Sequence, residues 1–145
     1  MTVVFRNLKV RPEDPVRDWP TEAVQAALER GGLEEWRRLA DAIRAEPWGR
    51  TARRVEEVLS HSRPYGVAEL LERVIDSARM EAEAAERVVV AAELRELIAA
   101  SGLTQAAFAR HLGTSASRMS SYVNGAVVPS ATLVVRARSV AEAQR

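Results

Sequence analysis

Cysteine is absent from the 145 residues, which excludes disulfides and thiolate metal sites. Histidine occurs twice, at His61 and His111, and neither stands at metal-ligand spacing from a second histidine. The sequence has no H-E-x-x-H pattern, no glycine-rich phosphate loop and no G-x-S-x-G elbow. Carboxylate pairs such as Glu34-Glu35 and Glu56-Glu57 fall on polar helix faces, where solvated charge is the ordinary explanation. An enzyme would need these groups clustered, so catalysis, a metal and a cofactor are not expected. No apolar run approaches the roughly 18 residues that a membrane span requires. The basic-then-apolar layout of a secretory leader is also missing, and the expected location is the cytoplasm.

What remains is an ordinary globular composition, 47% hydrophobic and 28% charged, long enough for one medium domain or two small ones. Charge is uneven along the chain. Residues 1–87 hold fifteen Lys/Arg against seventeen Asp/Glu, a net of −2, whereas residues 88–145 hold six against three, a net of +3. The C-terminal part leans towards an anionic partner.

The opening "MTVVFRNLKV" alternates β-branched and aromatic residues and reads as a short strand or an extended arm. The three prolines of "RPEDPVRDWP" forbid a helix there. Helical signals follow. "TEAVQAALERGG" offers Thr21 as cap and Gly31-Gly32 as stop. "LEEWRRLADAIRAEP" sets Leu33, Trp36, Leu39, Ala40 and Ile43 on one face, and Pro47 ends it. "TARRVEEVLSHS" repeats the pattern with Ala52, Val55, Val58 and Leu59. After a break at Arg63-Pro64-Tyr65-Gly66, residues 67–101 contain neither Gly nor Pro. An apolar stripe (Leu70, Leu71, Val74, Ile75, Ala78) gives way to the polar "EAEAAER" at 81–87, then to "VVVAAELRELIAA". Such a stretch predicts two helices, or one continuous helix whose polar middle crosses between domains. The domain boundary is expected near residues 82–87, giving a helical N-terminal domain at 1–82 and a second domain at 83–145. Trp19, Trp36, Trp48 and Tyr65 are expected to fill the N-terminal core; Trp48, in the turn "EPWGR", is the expected contact for a protein partner. The arm, Thr2 to Val10, is expected either to add to a partner's sheet edge or to pack on its own domain.

"LTQAAFARHLGTSASRMSSYVNG" holds two short helical patterns divided by one glycine. Thr104 stands where an N-cap should, and Phe108, Ala109 and Leu112 share a face. Gly113 supplies positive φ at the turn, Thr114 or Ser115 caps the next helix, and Met119 and Tyr122 continue the buried side. The outward side is then Ser115, Ala116, Ser117, Ser120 and Ser121. Side chains this small let a helix sink into the DNA major groove, where hydroxyls meet base edges and phosphates. On the residues alone, groove insertion and a plain solvated helix stand level.

The segment resembles the helix-turn-helix of the phage-repressor (Cro/XRE) family, through Gln105, Ala109, Leu112, Gly113, Met119, Tyr122, Asn124 and Gly125. The resemblance implies a sequence-specific DNA-binding regulator with a five-helix domain over roughly residues 88–143, from "VVVAAELRELIAASG" to a closing helix opened by Pro129. It implies phosphate contacts by Gln105 and Asn124, and base contacts by Ala116, Ser117 and Ser121 with Ser115 beside them. Two departures are visible. Ala116 stands where the family often has Gln and offers only a methyl contact to thymine. The loop "AVV" at 126–128 lacks the family's basic residues. Arg118, beside the recognition face, and Arg110 are expected to supply phosphate attraction in their place. Val127 and Val128 either face a dimer partner or close the domain's own core.

The expected fold is therefore all-α: a helical N-terminal domain with a short strand or arm, a helical linker, and a five-helix helix-turn-helix domain. The expected function is a dimeric repressor on palindromic double-stranded DNA. The alternative is an antitoxin that binds a toxin through residues 1–82 and regulates its own synthesis through the helix-turn-helix. A small-molecule sensor is a third class, with no pocket visible in the sequence.

Overall fold

The computed structural model describes residues 3–145. Among them are seven α-helices, one 3-10 turn and no strand. The chain divides into two compact units, Met1–Ala82 and Glu83–Arg145.

The first unit opens with an irregular arm and the 3-10 turn Val16–Asp18, followed by α1 (Thr21–Arg30), α2 (Leu33–Ala45) and α3 (Arg50–Leu59). The helix α4 (Val67–Ser101) then begins and runs unbroken for 35 residues past the division at Ala82. Its residues 83–86 are all exposed, as their polar and alanine composition requires. The first core gathers Trp19, Val24, Leu28, Leu39, Ile43, Val55 and Val58 with Leu71 and Ile75 from α4. Each of α1, α2 and α3 contributes one apolar stripe, the arrangement that buries the faces of amphipathic helices.

Several sequence expectations need correction here. Of the two readings left open for the opening stretch the arm is the one found: residues 3–10 form no strand, and Thr2 lies outside the described residues. The reason is visible at Val3, whose N–H donates to Glu35 Oε1 at 3.1 Å instead of to a neighbouring strand. The rest of the arm lies on its own unit: Phe5 meets Trp19 edge to face with centroids 5.0 Å apart, and Leu8 and Val10 pack on the same core. Thr21 is the first helical residue rather than the cap; Pro20 holds that place, and the Thr21 hydroxyl donates to Glu57 Oε2 at 3.2 Å. On α2, Trp36, Leu39, Ala40 and Ile43 hold the expected face, but Leu33 at its start is exposed and Glu35 is buried. Trp19 fills the core and Trp36 is half-buried, but the ring of Tyr65 is fully exposed before Gly66 (φ +76°).

The second unit comprises the end of α4, then α5 (Gln105–Leu112), α6 (Ala116–Val123) and α7 (Ala131–Ala143). That is four helical segments where five were expected. The chain between α6 and α7 is too short and too bent for another: Gly125 takes φ +73° and Pro129 follows. The second core is Leu94, Phe108, Ala109, Leu112, Met119, Val123, Leu133 and Ala137.

Candidate nucleic-acid interface

The turn between α5 and α6 is built from local hydrogen bonds. Thr104 Oγ1 accepts the Ala107 N–H at 3.1 Å, which starts α5. Gly113 ends it with φ +73°, and the Thr114 N–H returns to the Ala109 carbonyl at 3.0 Å. Ser115, not Thr114, is the cap of α6, with its Oγ accepting the Arg118 N–H at 3.1 Å. Three residues therefore suffice to turn one helix into the next. Phe108, Ala109, Leu112 and Met119 are all nearly inaccessible to solvent, so the two helices share one core. Val123, one helical turn after Met119, is the second fully buried position of α6; Tyr122 is half-buried and packs on the rim of that core.

Residues 89–145 match the family model for a helix-turn-helix domain. The match supports a DNA-binding helix-turn-helix family for this part of the chain, and such domains are typically non-enzymatic. No curated protein matches the chain, and no solved structure does.

Within this helix-turn-helix domain the expected contact residues are mostly presented to solvent. Ser115, Ala116, Ser117 and Arg118 are exposed along the start of α6, and Gln105 is exposed at the first position of α5. Two of them are partly committed already. The Ser115 hydroxyl oxygen serves the cap, which leaves its proton free. Ser121 is half-buried, and its hydroxyl donates to the Ser117 carbonyl at 3.3 Å, a back-bond along the helix. Asn124 is exposed, and its Nδ2 lies 3.5 Å from Ser120 Oγ, a weak contact that leaves the carboxamide available.

Arginine use separates structure from surface. Arg136 donates to the Leu112 carbonyl at 3.1 Å and Arg95 donates to the Val123 carbonyl, so each satisfies the C-terminal end of a motif helix. Arg138 pairs with Glu93 at 2.7 Å. Arg110 and Arg118 have no ion-pair partner among the described residues, and both are exposed. Sequence reasoning had weighed those two and missed Arg95 and Arg136. Their partners lie 28 and 24 residues away, and no local pattern announces such a bond. Val127 and Val128 are 51% and 57% exposed, so they do not close the domain's own core. Among the described residues no group of acidic and histidine side chains is placed to hold a metal ion, and no helix is long and apolar enough to cross a membrane.

Proposed function

We propose that this chain is a sequence-specific transcriptional regulator that binds double-stranded DNA through α5 and α6, in the manner of Cro/XRE-type repressors. One observation carries the reading: a short helix capped by Ser115 presents Ala116 and Ser117 to solvent, free of bulky side chains, immediately after a glycine turn. A helix with so thin a surface enters the major groove without steric cost. Ser115, Ala116, Ser117 and Ser121 then meet base edges, with Ser121 exchanging its back-bond for a base. Gln105, Arg118 and Asn124 hold phosphates and set the register. One helix of this size reads few bases, so a homodimer on two half-sites of a palindromic operator completes the site. Repression is steric, and DNA as the ligand places the protein in the cytoplasm. In this scheme residues 83–145 bind DNA while residues 1–82 serve assembly or partner binding.

The test is a duplex selected from a random library by the purified chain. Ser117→Glu sets a carboxylate against bases and phosphates and is expected to weaken binding to that duplex more than 100-fold, roughly the loss of two good base contacts. Gln105→Ala is expected to weaken binding about equally to all duplexes and to flatten its salt dependence. Unchanged affinity in both variants would mean that α6 is not the reading helix.

A second reading, an antitoxin that holds a toxin protein through residues 1–82, is favoured by two rings left to solvent, Trp48 at 46% exposure and Tyr65. Aromatic side chains of this kind anchor protein interfaces. Purification from the native cells distinguishes the two: a second small protein that stays bound until Trp48→Ala releases it supports the antitoxin.

A further inference from the structure

Within the helix-turn-helix domain, the outward face of α6 has few groups left to read a base with. Met119 and Val123 are buried, and Tyr122 packs on the rim of the core. Ser115 has its oxygen committed to the Arg118 N–H as the helix cap and keeps only a proton to offer. Ser121 is half-buried and donates to the Ser117 carbonyl, so it reaches a base only by giving up that bond. Ser120 is half-buried too, with Asn124 Nδ2 3.5 Å from its oxygen. Ala116 and Ser117 remain, adjacent and exposed, and the Ser117 hydroxyl has no partner among the described residues.

That pair limits what the helix can tell apart. A purine is identified through two hydrogen bonds at once, by a carboxamide on adenine or a guanidinium on guanine. α6 holds no Asn or Gln. Its one guanidinium, Arg118, comes one residue after Ser117 and so about 100° further round the helix, on the flank turned towards phosphates in the DNA reading. A single hydroxyl donates as readily as it accepts, so Ser117 serves any base pair. Ala116 is less tolerant. Its methyl group neither donates nor accepts, and pressed on an amino, carbonyl or ring-nitrogen edge it leaves that polar group dry and unpaired. One feature of the major groove suits it, the C5-methyl group of a pyrimidine.

We propose that the duplex this protein selects carries a thymine in each half-site with its C5-methyl group against Ala116. This apolar contact, rather than a hydrogen bond, is the discriminating contact of α6. The ligand feature is a 5-methylpyrimidine in the major groove, so 5-methylcytosine is read as thymine is. The inference rests on the DNA reading and specifies its ligand.

Deoxyuridine keeps every hydrogen-bonding edge of thymine and lacks only the methyl group, so it tests the contact without altering the protein. In a duplex selected from a random library, each thymine is replaced in turn by deoxyuridine, and binding to the full chain is followed by fluorescence anisotropy. One position per half-site is expected to lose about fourfold, the worth of one buried methyl group. At that position a 5-methylcytosine·guanine pair is expected to bind about fourfold tighter than the unmethylated pair. Ala116→Gly is expected to bind the thymine and deoxyuridine duplexes equally. Gly also weakens the helix, so the readout is the ratio of those two affinities within the variant. A specifically bound duplex that tolerates deoxyuridine at every thymine overturns the proposal and leaves the DNA reading standing. A thymine preference that Ala116→Gly leaves unchanged does the same. Failure to select any duplex overturns both.

Discussion

In the first unit, long polar side chains are turned back on the chain that carries them. Arg38 reaches the carbonyls of Pro12 and Asp14 and stacks over Trp19 with its guanidinium 4.9 Å from the ring centroid. The indole N–H of Trp36 donates to the Ala27 carbonyl at 3.0 Å, and that of Trp19 to the Asp14 carbonyl at 3.1 Å. Glu35, 5% exposed, receives the N–H groups of Val3 and Gly32. In the second unit only Arg95 and Arg136 turn inwards in this way, while Gln105, Ser117, Arg118 and Asn124 face solvent. The cores differ as well, with seventeen buried residues in the first cluster against eight in the second. Polar groups spent inside a fold stabilise it, whereas polar groups left outside remain free for a ligand. By that measure the first unit spends its polar groups on persistence, and the second leaves more of them open to a partner.

The strongest way to break this contrast is in the larger core. Trp19 is fully buried, and Trp19→Ala is expected to destabilise the first unit by about 3–5 kcal/mol, read as a fall in its denaturation midpoint. Ser117→Glu is the converse experiment: the residue is exposed, so the denaturation midpoint is expected to stay within about 0.5 kcal/mol while specific DNA binding is lost. If Ser117→Glu unfolds the domain, the exposed face of α6 is structural after all. Ser115 stands between these cases, because its hydroxyl both caps α6 and faces the proposed groove. Ser115→Ala is expected to cost about 1 kcal/mol and to weaken DNA binding together with it, whereas Ser115→Asp restores the cap alone.

The smallest effect concerns the clasp on the arm. Burial pushes the Glu35 carboxyl upwards, but the N–H groups of Gly32 and Val3 outweigh it and hold the group below its ordinary 4.5. A folded-state pKa below the unfolded one adds stability that is complete above pH 4.5 and is lost as pH falls through the lower folded value. Between about pH 7 and about pH 3.5, the urea midpoint of the wild type is expected to fall further than that of Glu35→Gln. Equal falls would show that Glu35 gains nothing from its ionised state.

Much of the fold was legible because helices announce themselves locally. The glycine and proline stops at Gly31-Gly32, Pro47 and Gly113, and the apolar spacing of Leu39, Ile43, Val55 and Val58, follow from backbone sterics and from the 3.6-residue turn. The errors have one origin. Leu33 against Glu35, and Tyr65 inside against Tyr65 outside, were each decided by what else packs nearby, as was the choice of an arm over a strand at residues 3–10. Glu35 is held inside by the N–H groups of Val3 and Gly32, and periodicity knows nothing of Val3.

The candidate site divides in the same way. The sequence by itself determined that a short glycine-turned helix pair exists near the C-terminal end and that its second helix carries small polar residues, because caps, turns and side-chain size are local properties. Tertiary structure alone decided which hydroxyls are free. Ser121 is half-buried and bonded to its own helix, and Ser115 is spent in part on the cap. Arg95 and Arg136 are withdrawn to helix ends 28 and 24 residues away, which leaves Arg110 and Arg118 as the open cations of the motif. Availability of a charged or polar group depends on its neighbours in space, and those neighbours are set by the packing of distant segments.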